Sequence, residues 1–186
     1  MSEQSAEVLT LPEFLAWEAT QPGRHELVGG RAYAMVGGSQ RHSLVKDQLR
    51  EAMGPMARER GCRPFGSDRR LVTASGNAYY PDLMICCGPA THDMYETDAV
   101  LVLEVLSPST RSTDRREKLL SYAALASIEA YVMVEPDLRH FQVVRWEDGI
   151  PAWEELGPGD LLTTSFGVLS IDEIYDVVDS TAILDC

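Results

Sequence analysis

Three features of the sequence predict an α/β fold with a mixed, centrally buried sheet flanked by helices. Ala99 to Leu106 is apolar at every position except Glu104, the pattern of a strand covered on both faces. His42, Val45, Leu49, Met53 and Met56 recur three or four residues apart, so Ser39 to Arg60 makes an amphipathic helix. Strand-like and helical segments alternate without a strict βαβ rhythm, which favours a mixed sheet over an all-parallel one.

Taken in order, Thr10-Leu11-Pro12-Glu13 has capping-box spacing and opens a short helix carrying Phe14, Leu15 and Trp17; Gln21-Pro22-Gly23 ends it. His25 to Val28 and Arg31 to Met35 form a hairpin about Gly29-Gly30, and Gly37-Gly38-Ser39 breaks its second strand. Gly54-Pro55 is expected to weaken the Ser39 to Arg60 helix. Arg70 to Thr73 and Tyr80 to Cys87 are strand-like, parted by the turn cluster Ser75-Gly76-Asn77. After the Ala99 to Leu106 strand a helix is expected over Asp114 to Ala126. Ala130 to Val134 and His140 to Trp146 then form a hairpin, and Leu161 to Ser165 with an Ile171 to Val177 helix completes the chain.

Length and composition narrow the classes. At 186 residues one domain, 1–186, is expected, with a core over 10–146 and an acidic C-terminal strand and helix segment over 147–186. Hydrophobic residues at 45% and charged residues at 24% exclude a disordered chain. No apolar run reaches the ~18 residues of a membrane span, and Met1 to Thr10 lacks the marks of a signal peptide, so a cytoplasmic location is expected. Cys62, Cys86, Cys87 and Cys186 include no Cys-x-x-Cys, so they are read as reduced thiols. The net charge of −13 opposes nucleic-acid binding, but Glu147 to Cys186 holds 10 of the 29 acids and none of the 16 Lys and Arg. The remaining body is close to neutral, and metal ions held between carboxylates and phosphate would let it bind a polyanion.

Glu104 is the most informative residue. A lone carboxylate in a buried apolar strand is costly unless it is paired or metal-bound. Asp82 lies 22 residues earlier at the head of the preceding strand, so the two could converge on a hard cation such as Mg²⁺; an ion pair with an arginine is the alternative for Glu104. Lysine occurs only at 46 and 118. Lys118, with Tyr122 four residues on, could reach a phosphate from the helix after Glu104, or be a solvated helix charge. Arg111, Arg115 and Arg116 lie where a helix start could grip phosphate, though a short basic run is also an ordinary solvated face. Glu26 could serve as base or extra ligand, His42 as a substrate contact or a core histidine, and Asp68 as an orienting group.

Tyr80-Pro81-Asp82-Leu83, Leu103-Glu104-Val105-Leu106-Ser107-Pro108-Ser109-Thr110, the set Asp114, Lys118 and Tyr122, and Glu129-Ala130-Tyr131 together resemble the Uma2 family. That family belongs to the restriction-endonuclease-like, PD-(D/E)XK nuclease superfamily. The likeness includes His25 to Gly30 and His42 and runs from about Thr10 to Ile174. It implies a restriction-endonuclease-like mixed central sheet flanked by helices, a bacterial setting, and endonucleolytic hydrolysis of DNA through a Mg²⁺-activated water, with Mn²⁺ as an alternative ion. Asp82 matches the motif aspartate and Glu104 the motif acid. The superfamily pattern places lysine two residues after the acid, where this chain has Leu106, and the resemblance implies that Lys118 replaces it. The expected catalytic set is thus Asp82, Glu104, Lys118 and Glu26, with Asp82 and Glu104 on the metal and Arg111, Arg115, Arg116, His42 and Tyr122 toward the substrate. The alternative is a non-catalytic nucleic-acid or protein interaction module on the same fold. A homodimer is expected from the hairpin at the sheet edge.

Overall fold

The computed structural model describes residues 8–107 and 117–181. The helices are α1 (Leu11–Glu18), α2 (Gln40–Glu59), α3 (Leu119–Ala123) and α4 (Ile171–Thr181). The strands β1 (His25–Val28), β2 (Arg31–Ala34), β3 (Arg63–Gly66), β4 (Arg70–Val72), β5 (Ala78–Tyr79) and β6 (Leu83–Cys86) precede β7 (Tyr95–Glu96) and β8 (Ala99–Val105). After α3 come β9 (Ala130–Val134), β10 (Phe141–Glu147), β11 (Ile150–Leu156), β12 (Leu161–Thr163) and β13 (Val168–Ser170).

The expected mixed central sheet is present, and two smaller sheets accompany it among the described residues. A six-stranded sheet, ordered β11-β10-β9-β8-β6-β3, is antiparallel except for the parallel pair β8–β9; a second sheet is ordered β2-β1-β5-β4-β7, and β12 pairs with β13 alone. Side chains alternate along β8, so Leu101, Leu103 and Val105 face one way and Val102, Glu104 and Leu106 the other. The first set packs with Val45, Leu49 and Met53 of α2 and Ile174, Tyr175 and Val178 of α4. The second set lies under Tyr122 of α3 and under Val28, Leu71 and Tyr79 of the smaller sheet. Beyond that sheet, α1 covers Leu27, Ala32, Val72 and Ala78 with Phe14. The molecule is therefore layered α2/α4, large sheet, α3 with small sheet, α1.

Local chemistry explains the element ends. The Glu13 carboxylate accepts the Thr10 amide at 2.8 Å and its hydroxyl at 2.7 Å, fixing the start of α1. Gly29 and Gly30 take φ of 57° and 79°, as the tight β1–β2 turn requires. The Ser39 side chain accepts the His42 amide at 3.1 Å and caps α2. α2 runs unbroken through Pro55, contrary to the expected weakening. The ring sits on the exposed side, while buried Met53, Gly54 and Ala57 hold the helix on the sheet.

The reading of all cysteines as reduced is corrected: Cys62 and Cys87 form a disulfide. Arg63 opposes Cys86 in the β3–β6 ladder, so the next positions outward, 62 and 87, face each other across the strand pair. Cys86 remains a free, buried thiol; burial raises its pKa to about 12. Among the described residues no helix is long and apolar enough to cross a membrane.

Candidate active site

The β6–β8 ladder pairs Leu83 with Leu103, so one step further Asp82 stands opposite Glu104, and cross-strand partners share a face. The Val105 amide donates to Asp82 Oδ2 at 2.9 Å, so a side-chain bond continues the ladder where β6 ends. Asp82 Oδ1 accepts no hydrogen bond among the described residues.

Glu104 is only 5% exposed and needs a positive partner. Lys118, also 5% exposed, supplies it with Nζ 2.9 Å from Glu104 Oε1 and 3.2 Å from Glu26 Oε1. Glu26 alternates with Leu27 on β1 and so turns toward the large sheet, as Val28 does. The ammonium thus ties α3, β1 and β8 together. The Tyr122 hydroxyl, one helical turn after Lys118, donates to the same Glu104 oxygen at 3.1 Å. Burial, then the Glu104 charge, push its phenol well above the ordinary range, so it stays a donor. The Tyr80 amide donates to Glu26 Oε1 at 3.2 Å.

His42 stands at the start of α2, where its Nε2–H donates to the Val105 carbonyl at 3.0 Å and lies 3.5 Å from Asp82 Oδ2. The Asp82 hydrogen bond raises its pKa, against the opposing effect of burial. Its Nδ1 is buried without a partner, packed where Gly38 lacks a side chain: a Cβ there would lie 2.5 Å from Nδ1. Gly37-Gly38, legible in the sequence only as a strand breaker, is also what admits this ring.

Glu26, His42, Asp82, Glu104 and Lys118 line one cleft of about 90 Å³, closed by Ala34 to Gly38, Tyr80, Val105 and Ser107. Tyr122 reaches it through Glu104. Arg111, Arg115 and Arg116 lie outside the described residues. Asp68 is not in this cleft; it lines an adjoining concavity with Lys46, Asp47, Arg50, Gly66, Ser67 and Asp82. Tyr80 and Ser107 are lining residues that no sequence pattern singled out as chemical.

The donor set fits a hard divalent cation. Asp82 and Glu104 offer carboxylate oxygens from opposed strand positions, and Mg²⁺ needs only one or two carboxylates beside substrate oxygens. Among the described residues, Glu26, Asp82 and Glu104 line this recess together with the Lys118 ammonium, which contacts the two glutamates, and His42, whose pKa Asp82 raises. Elsewhere among the described residues Cys86, Glu96 and Asp98 bring ligating atoms within 4.8 Å of one another. There Arg63 and Arg69 already neutralise Glu96, at 3.1 and 2.7 Å.

Comparison with known proteins bears on the family and the fold. The Uma2 family model, described as "Putative restriction endonuclease", matches residues 11–170. An uncharacterized protein of Synechocystis sp. is 34% identical over 140 residues, covering 71% of this chain and 74% of its own. A second uncharacterized Synechocystis protein is 27% identical over 148 residues, covering 75% and 84%. Among solved structures, "a putative nuclease belonging to DUF820" from Anabaena variabilis superposes with a TM-score of 0.76 at 18% identity, over 91% of this chain and 99% of that one, and so shares the fold.

Proposed function

This chain belongs to the Uma2 family, described as "Putative restriction endonuclease", and from that membership we propose that it is a metal-dependent endonuclease that hydrolyses DNA phosphodiester bonds in the cleft over β6 and β8. The observation that carries the proposal is the register pairing of Asp82 with Glu104 on one sheet face, with the Lys118 ammonium seated on Glu104.

Asp82 and Glu104 would hold Mg²⁺ or Mn²⁺. When bound, such an ion supplies Lewis acidity toward a phosphoryl oxygen and a hydrolytic nucleophile at neutral pH. The protein's own part is positioning and charge. The Val105 amide fixes Asp82, while Tyr122 and Lys118 fix Glu104. Glu26 holds the other side of the ammonium, which keeps Lys118 directed at the cleft rather than at solvent. There it stabilises charge that develops on the phosphoryl oxygens of the transition state. His42 braces the Val105 carbonyl and with it the strand end that carries Glu104.

Plasmid and single-stranded DNA incubated with Mg²⁺ or Mn²⁺ test the reading, with Asp82→Ala as control. Cleavage that requires the ion and vanishes in the variant is the expected result. DNA binding without cleavage in either ion would leave the non-catalytic interaction module in its place.

A further inference from the structure

The cleft is small and recessed, which limits the form in which DNA can present a phosphodiester. Glu26, Glu104 and Lys118 are 3 to 5% exposed, and a volume of about 90 Å³ admits roughly several waters or one phosphodiester group. A B-form duplex carries its phosphates on the rim of a stiff rod with grooves on the order of 10 Å wide, so it meets protruding groups. Here Glu26, Glu104 and Lys118 are nearly sealed from water in a cleft that Ala34 to Gly38 also line. A single strand can turn one phosphodiester inward.

Two features beside the recess suit such a strand. Val36 is 62% exposed and lines the cleft next to Met35, an apolar edge that an unstacked base can cover by apolar contact. On the other side, Asp82 is shared with the adjoining concavity lined by Lys46 and Arg50, and Arg50 is shared in turn with a third that runs along α2 to Arg58. Arg63, Arg69, Arg70, Arg139 and Arg145 each pair with a carboxylate, whereas Lys46 and Arg50 have none within 4.0 Å among the described residues. Asp47 and Asp68 also line this concavity, so the two cations act locally and not as a broad basic face.

Resting on the nuclease reading of the cleft, we propose that its substrate is single-stranded DNA, held with a base against Met35 and Val36 and the next phosphate on Lys46 and Arg50. Arg50 is exposed and Lys46 half-buried, and neither belongs to a core cluster. The test is fluorescence anisotropy of the full chain with a labelled ~15-nucleotide strand and with its duplex, in Ca²⁺ across a salt series. The single strand should bind at least ~10-fold tighter. The double variant Lys46→Ala, Arg50→Ala should lose ~10-fold in that affinity and lower the log–log salt slope by about 0.7, the loss of one neutralised phosphate. Val36→Asp should weaken the single strand selectively. Equal or tighter duplex binding, no binding of either form, or a double variant like the wild type would overturn the proposal. Mg²⁺-dependent nicking of duplex plasmid as fast as of single strand would overturn it and leave the nuclease reading standing. Single-strand preference without hydrolysis would keep this proposal and remove the nuclease reading.

Discussion

Lys118 carries two duties. As the partner of both Glu104 and Glu26 it bridges two carboxylates that are nearly sealed from water. Lys118→Ala therefore strands them, and chemical denaturation should show a loss of ~3–5 kcal/mol. If it also stabilises phosphoryl charge, cleavage per folded molecule should fall ~10²–10³ as well. Lys118→Arg should restore little, because a broad guanidinium does not fit where a compact ammonium lies between two carboxylates. A stability loss with unchanged activity per folded molecule would confine Lys118 to a structural role. Gly38 gives a second residue-scale test. Gly38→Ala puts a methyl 2.5 Å from His42 Nδ1 and 2.7 Å from Cγ, and the ring is pinned by the Val105 carbonyl. The expected outcome is ~1–3 kcal/mol of destabilisation. Activity per folded molecule should drop too, measured beside the denaturation curve.

Among the elements, those with internal pattern were legible in the sequence and those that borrow it were not. β8 announces itself by six apolar residues around Glu104, α2 by its three-and-four spacing, and the β1–β2 hairpin by Gly29-Gly30. The pairing of Asp82 with Glu104 followed from β8 and the Tyr80 to Cys87 segment, which the structure narrows to β6, Leu83–Cys86; the two-residue β7 between them carries no pattern of its own. β3 is four residues containing Pro64, and β11 is largely exposed with Pro151, Glu154 and Glu155, so neither alternates as a half-buried strand would. Missing β3 also hid the disulfide, since only the β3–β6 ladder sets Cys62 across from Cys87. α4 was legible as the Ile171 to Val177 helix, but the polar contacts that tie its far end to the rest of the chain were not: Asp179 bonds Arg41 and Arg139, each at 2.7 Å. The Arg41 hydrogen bond, then that of Arg139, lowers the Asp179 pKa. A folded pKa below the unfolded value means a contribution that is complete above ~pH 3.9 and disappears as acid protonates the folded carboxylate. Asp179→Asn should lower the denaturation midpoint slightly at pH 7, as expected for a half-exposed pair, and the gap from wild type should close on acidification.

At the scale of the whole molecule, the disulfide joins the edge strand β3 to the strand that leads from Asp82, closing a separation of 25 residues. Cys87→Ser should cost about 3 kcal/mol under non-reducing conditions, with the difference from wild type removed by reductant. Mass spectrometry of protein alkylated after unfolding without reductant should find Cys86 labelled and Cys62 and Cys87 unlabelled. The register of β6 on β8 has a consequence for divergence among related chains. Side-chain direction reverses with each residue, so one residue added or lost between Asp82 and Ile85, or between Leu101 and Glu104, would turn one carboxylate to the α2 side. Substitutions at Leu83 or Leu103 only repack the core. Lineages that keep the paired acids are thus free to drift in identity along these two strands, and changes in their length are confined to the connection between β6 and β8.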